Sequence, residues 1–193
     1  DGLPPRRSWF FPPHYHRNGN LRELVSLCAA GYGEVELHLH HGKLAPDNAD
    51  NLRATILRTI EEYSCFGIFG KQDGKIRYGF IHGDWALCNT RDNRYCGVNE
   101  EISVLCETGC YGDFTFPAVA VPQGNPVIGH RLYYASDDAS RPGAHRTGPE
   151  VERGKPQSGD LLMVQGCLHP HLLGGRLSGF RIIGDAIEPD SIG

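Results

Sequence analysis

The stretch Glu34-Val35-Glu36-Leu37-His38-Leu39-His40-His41 alternates between polar and apolar side chains up to its closing His pair. Successive side chains of a strand point to opposite faces, so Val35, Leu37 and Leu39 share one face and Glu34, Glu36, His38 and His40 the other. The apolar face calls for helices to cover it. The polar face, if buried, holds two carboxylates and two imidazoles, each costing on the order of several kcal/mol while unpaired. A divalent cation near the strand end removes that cost. Imidazoles at i and i+2 can converge on one ion, and neutral imidazole suits Zn²⁺, Ni²⁺ or Fe²⁺. The competing reading is a half-exposed, hydrogen-bonded strand that holds no metal.

Upstream, Ser8-Trp9-Phe10-Phe11 reads as a short aromatic strand stopped by Pro12-Pro13. Leu21, Leu24, Val25 and Cys28 follow at helical spacing, and Gly31 ends that helix. Downstream, a helix starts near Asp47 as its N-cap, with Leu52, Ile56, Ile60 and Tyr63 on one face. Arg77 to His82 reads as a strand. Asn99 caps a third helix with Glu100 and Glu101 in its first turn, where the dipole favours acids, and Gly109 stops it. Asp113 to Phe116, Gly129 to Ala135 and Asp160 to Leu168 are strand-like, and the polar Gly-, Pro- and Arg-rich residues 137–159 form a long loop. Strand–helix alternation implies an α/β fold with a mainly parallel sheet, open or closed into a distorted or incomplete (β/α) barrel, in a single domain over residues 1–193. In such sheets the loops after the strands carry the site.

Composition narrows the function class. A net charge of −4 without a basic cluster speaks against a nucleic-acid partner. No apolar run approaches the roughly 18 residues of a membrane span. The chain begins at Asp1 with no charged-then-apolar leader, which reads as a processed, trimmed or partial chain. Seven cysteines show no disulfide framework or CxxC pair, which fits a reducing, cytoplasmic setting. Cys28 and Cys106 read as small hydrophobes, while Cys88 with Cys96, or Cys106 with Cys110, are weaker metal candidates.

Further candidates sit at other strand ends. His14 and His16 follow the first strand; His14 is a candidate substrate contact and His16 an ordinary loop residue. His82, Asp84 and Trp85 follow the Arg77–His82 strand, within Phe80-Ile81-His82-Gly83-Asp84-Trp85. In a parallel sheet all of these reach one carboxyl edge, as a catalytic constellation requires. His82 is a candidate third ligand or acid–base group, Asp84 a proton acceptor or partner of a ligating His, and Trp85 a flat apolar face for a sugar ring. His169, ahead of Pro170 and His171, is a candidate proton donor or a surface-turn residue; His130 and His145 read as structural or solvent-exposed.

Taken together, Trp9-Phe10-Phe11-Pro12, Gly33 to His41, Gly79-Phe80-Ile81-His82-Gly83-Asp84-Trp85-Ala86-Leu87, Cys96-Gly97-Val98-Asn99, Thr108-Gly109-Cys110-Tyr111, Asp113-Phe114-Thr115 and Gly159-Asp160-Leu161-Leu162 resemble bacterial polysaccharide deacetylase-like proteins. The resemblance covers roughly residues 1 to 165. It implies a distorted (β/α) barrel and a metal, usually zinc, held by two His and an Asp, with a carboxylate base and a His acid. On this chain His38 with His40 or His41 matches the paired-His element, at tighter spacing. The strand with paired aspartates found in typical members has no counterpart here, and Gly42 stands where an Asp is expected.

These observations lead to a metal-dependent hydrolase that deacetylates an N- or O-acetylated glycan-like substrate. His38, His40 and His41 are the metal candidates, Asp84, His82 and His169 the catalytic ones, and Trp85 and His14 the substrate contacts. A catalytically degenerate glycan-binding module of the same fold is the alternative, and a non-haem metal oxygenase or isomerase ranks behind both.

Overall fold

The computed structural model describes residues 2, 5–13, 18–42, 45–91, 93–116, 130–173 and 176–183, with the backbone alone from residue 167 on. Strand β1 (Arg7–Phe11) leads through helix α1 (Asn18–Ala29) to β2 (Gly33–Leu39), the strand that carries the alternating stretch. Helix α2 (Ala49–Ser64) follows, then a hairpin of β3 (Gly70–Gln72) and β4 (Lys75–His82). Helix α3 (Glu101–Thr108) precedes β5 (Cys110–Asp113), and β6 (Leu132–Ala135) and β7 (Leu161–Val164) complete a seven-stranded sheet. Strands β8 (Cys167–Leu173) and β9 (Arg176–Ile183) pair with each other.

The sheet runs β1-β2-β4-β5-β7-β6 and is mostly parallel, as the strand–helix alternation implies. Strand β6 pairs antiparallel with β7, and β3 antiparallel with the first half of β4. Among the described residues the sheet is open.

The predicted apolar face of β2 is covered by helices. Val35, Leu37 and Leu39 are at most 2% exposed. Leu37 lies in register with Phe80 of β4, so both belong to the same face. Helix α1 brings Leu21 to Val35, Tyr63 and Ile68. Helices α2 and α3 bring Leu52, Ile56, Ile102 and Leu105 to Leu37, Leu39, Tyr78 and Phe80. Each such side chain contributes about 1.5–3 kcal/mol when fully buried. All three helices therefore pack on one face, which leaves the strand ends as the place for polar chemistry.

Several boundaries differ from the sequence reading. Asn48, not Asp47, caps α2, accepting from the Asn51 backbone N–H. Asp47 is thereby free to accept from His41. Glu100 takes the N-cap position of α3 without a side-chain bond, while Asn99 donates to the Ala139 carbonyl. Gly109 closes α3 at φ 101°, as expected. Strand β5 begins at Cys110 and ends at Asp113, where Asp113 to Phe116 was expected, because Cys110 already pairs with Tyr78 as the chain leaves α3. The expected strand from Asp160 to Leu168 is split at Gln165 and Gly166, whose N–H groups go to Arg131 and Phe116. The β3–β4 hairpin was missed; its Asp73-Gly74 turn has positive φ at both residues, the conformation such pairs favour. The long loop at 137–159 contains a 3-10 turn, Ala144–Arg146, and an isolated bridge from Glu150 to Tyr133.

Candidate metal centres

The alternation of β2, carried past its end at Leu39, splits His38, His40 and His41 between two clusters. On one side, Nε2 of His38 and Nε2 of His40 face each other at 3.1 Å, their rings nearly perpendicular. His38 Nδ1 lies 3.0 Å from the Ile81 carbonyl, and His40 Nδ1 lies 3.1 Å from Asp84 Oδ2. A carbonyl and a carboxylate can only accept, so both Nδ1 atoms carry the proton. In the neutral rings the Nε2 lone pairs are then turned toward each other. This cluster reaches solvent: the His40 and Asp84 side chains are 35% and 37% exposed.

The turn after β4 holds Asp84 in place at the expense of backbone strain. Asp84, Trp85, Cys88 and Asn89 all adopt positive φ, which costs on the order of 1–3 kcal/mol for each non-glycine residue. Dense bonding keeps them there. Arg91 donates to the Asp84 carbonyl at 2.6 Å, Thr90 Oγ1 to the carbonyls of Trp85 and Leu87, and the Cys88 N–H to Glu101. Trp85, next to Asp84 in this turn, is 44% exposed.

On the helix side lies the second cluster. His41 Nε2 stands 2.9 Å from His82 Nε2 and 2.9 Å from Glu101 Oε1, and His82 Nε2 stands 2.7 Å from the same oxygen. His41 Nδ1 is 2.8 Å from Asp47 Oδ2, and His82 Nδ1 is 2.5 Å from the Gly83 carbonyl. Asn51 in turn donates to that Asp47 oxygen at 2.6 Å. The His41, His82 and Glu101 side chains are all fully buried. Burial alone would push the Glu101 carboxyl up, but His82 and His41 outweigh it and bring it down to about 2. Burial likewise opposes the His41 imidazolium, and Glu101 and Asp47 together reverse the shift upward.

Cys96 lies between the clusters. Its sulfur and one ring nitrogen each from His41 and His82 fall within 4.8 Å of one another, and the same holds for its sulfur with His40 and Asp84. Either triplet could hold a metal ion. Two further buried groups stand nearby. Burial drives the Asp113 carboxyl up to about 7 against the hydrogen bonds of Thr115. Burial drives His145 down to about 3; its ring stacks on Phe116 with centroids 4.9 Å apart. Of the two roles expected for His145, the buried structural one is what the fold shows.

The sequence candidates thus divide. His38, His40 and Asp84 come together with Trp85 beside them. His41 and His82 meet elsewhere, joined by Glu101, Asp47 and Cys96. In the sequence Glu101 and Asp47 read as helix-start residues, and Cys96 as a weaker metal candidate together with Cys88. The spacing of Cys96-Gly97-Val98-Asn99-Glu100-Glu101 gives no sign that both ends turn into one buried site. His14 lies outside the described residues, and His169 lies on β8, paired with Arg181.

No family model, no curated protein and no solved structure gives a significant match to the chain.

Proposed function

We propose that the chain is a metal-dependent hydrolase, built to deacetylate an N- or O-acetylated glycan-like substrate, with a zinc-class ion between His38 and His40. One observation carries the reading: the two Nε2 atoms face each other at 3.1 Å while each Nδ1 is engaged by an acceptor. Metal-ligating histidines have this arrangement, their second nitrogen bound to a carboxylate or carbonyl that fixes the tautomer. His40 and Asp84 are also open to solvent, which a catalytic site needs for water and substrate.

The residues divide the work. When bound, a divalent ion supplies Lewis acidity toward an acyl carbonyl and lowers the pKa of a water. Asp84 orients His40 and is 37% exposed, and as a carboxylate it would accept the proton from the water. Trp85 offers its exposed indole face to a sugar ring. The three helices on one face of a sheet whose parallel strands run in a single spatial order support reading it as part of a distorted (β/α) barrel, with His38 and His40 on the opposite, inward face.

The test pairs metal analysis with a screen of acetylated sugars. Wild-type protein should release acetate in a metal-dependent way, and the His38→Ala/His40→Ala variant should lose both that activity and the chelator-accessible ion. Full activity after exhaustive chelation would refute the reading. A glycan-binding module without turnover is the second reading, favoured by the exposed Trp85 face beside the His pair; metal and glycan binding without acetate release would establish it.

A further inference from the structure

We infer that His41, His82, Glu101 and Cys96 form a second metal site, closed and structural, that takes a zinc-class divalent ion. Asp47 and the Gly83 carbonyl claim the Nδ1 protons of the two rings. Two imidazole lone pairs and a carboxylate oxygen are then left within 2.7–2.9 Å of one another, in a site without solvent. Three acceptors at that spacing repel. A single proton among them still leaves one contact between two acceptors. Protonating both rings places two imidazolium nitrogens 2.9 Å apart in a buried site, where like charges are strongly unfavourable. One divalent cation satisfies all three donors at once.

Cys96 supplies the fourth. It is 1% exposed, so burial pushes its thiol up, but its sulfur accepts the backbone N–H groups of His41 and Gly42, and a cation beside it would favour the thiolate. Two imidazoles, one carboxylate and one thiolate are a tetrahedral zinc donor set. At such an ion the ligand atoms stand about 3.3 Å apart, so the triangle needs to open by only a few tenths of an ångström. The Asp47–His41 pair, steadied by Asn51, adds the outer carboxylate that ligating histidines usually carry.

Burial decides the role. Two His and a carboxylate are also the ligand set of non-haem iron oxygenases, but that chemistry needs open coordination positions. Here the ligand side chains are enclosed, and the ion would tie the ends of β2 and β4 to the first residue of α3 and to the loop before it. Stability rather than turnover is the expected return. The site uses different histidines from the hydrolase reading, whose ion lies between His38 and His40; Cys96 alone is within reach of both clusters.

The full chain, stripped of metal and titrated with cobalt(II), tests this. A sulfur-to-cobalt charge-transfer band in wild type, retained in His38→Ala/His40→Ala and lost in Cys96→Ser, is the expected result, together with an unfolding temperature that drops on strong chelation. Loss of the band in Cys96→Ser with folding preserved by circular dichroism assigns the sulfur to the ion. Wild-type protein that binds cobalt without that band, or whose unfolding temperature ignores strong chelation, overturns the proposal. Absence of acetate release with the band present would count against the hydrolase reading alone.

Discussion

Gly83 lies flat against the ring of His40: a Cβ at position 83 would fall 2.4 Å from both Cγ and Nδ1 of that imidazole. The missing side chain is what lets the end of β4 pass so close to the end of β2. Gly83→Ala must push the ring aside and break its 3.1 Å contact with Asp84. We expect at least a tenfold loss of ion affinity at the His38–His40 pair, in line with the effect of disturbing a ligand's outer partner. Isothermal titration with zinc on the variant measures it, and unchanged affinity would separate His40 from the ion.

Asp84 makes a finer distinction. Asp84→Asn can keep a hydrogen bond from His40 Nδ1 through its amide oxygen but loses the charge that strengthens the imidazole as a ligand. Affinity at the pair should fall by about 10- to 100-fold, with Asp84→Ala at the far end of that range. If Asp84 also accepts the proton from water, Asp84→Asn lowers kcat by more than its loss of metal explains. Kinetics at saturating zinc separate the two roles.

Periodicity carried much of the fold into view. The alternation of Val35, Leu37 and Leu39 and the spacing of Leu52, Ile56 and Ile60 report burial directly, since one face of each element must leave water. His38, His40 and Asp84 were likewise legible, because parallel neighbours place residues that follow their strands at one edge. Glu101 was not. A carboxylate at the start of a helix is favourable in water for reasons of the dipole alone, so its sequence context looks complete without a partner. Asp47 was hidden in the same way by a plausible capping role that Asn48 performs instead. Adjacency in HxHH suggests a shared ligand set, whereas the His41 ring meets Asp47, His82 and Glu101 on the helix side.

Asp113 gives a pH signature best read on metal-free protein, because His82 pulls its carboxyl down and Glu101 pushes it up. Burial raises its folded-state pKa to about 7, above the value of about 3.9 for an unfolded aspartate. The native state therefore holds this proton more tightly. The associated stability is fully present below about pH 4 and is lost as pH rises through about 7. Asp113→Asn keeps one acceptor oxygen for Thr115 and removes the titration. The stability difference between variant and wild type should shift in the variant's favour by about 1.4 kcal/mol per pH unit across that window, then level off. Paired urea denaturation curves from pH 4 to 8 test it; parallel curves would mean that Asp113 titrates normally.

Glu36 clips three strands together on the face opposite the helices. Its carboxylate accepts the Gly79 N–H of β4 and, at 2.7 Å, the hydroxyl of Tyr111 on β5. The β4–β5 register shifts between Tyr78 and Gly79, so the Gly79 amide turns to a side chain for its partner. Burial pushes the Glu36 carboxyl up, and the two donors pull against that shift. Tyr111→Phe removes one donor and leaves the other, and should cost about 1.5–3 kcal/mol, as for hydrogen bonds to a charged group. Glu36→Ala strands the buried Gly79 N–H as well, which adds a further penalty of about 1–3 kcal/mol. In the double variant the tyrosine has nothing left to contribute, so the two effects should fall short of additive by about 0.5–3 kcal/mol. A double-mutant cycle from chemical denaturation reads this coupling directly, and strict additivity would show that Tyr111 and Glu36 act separately.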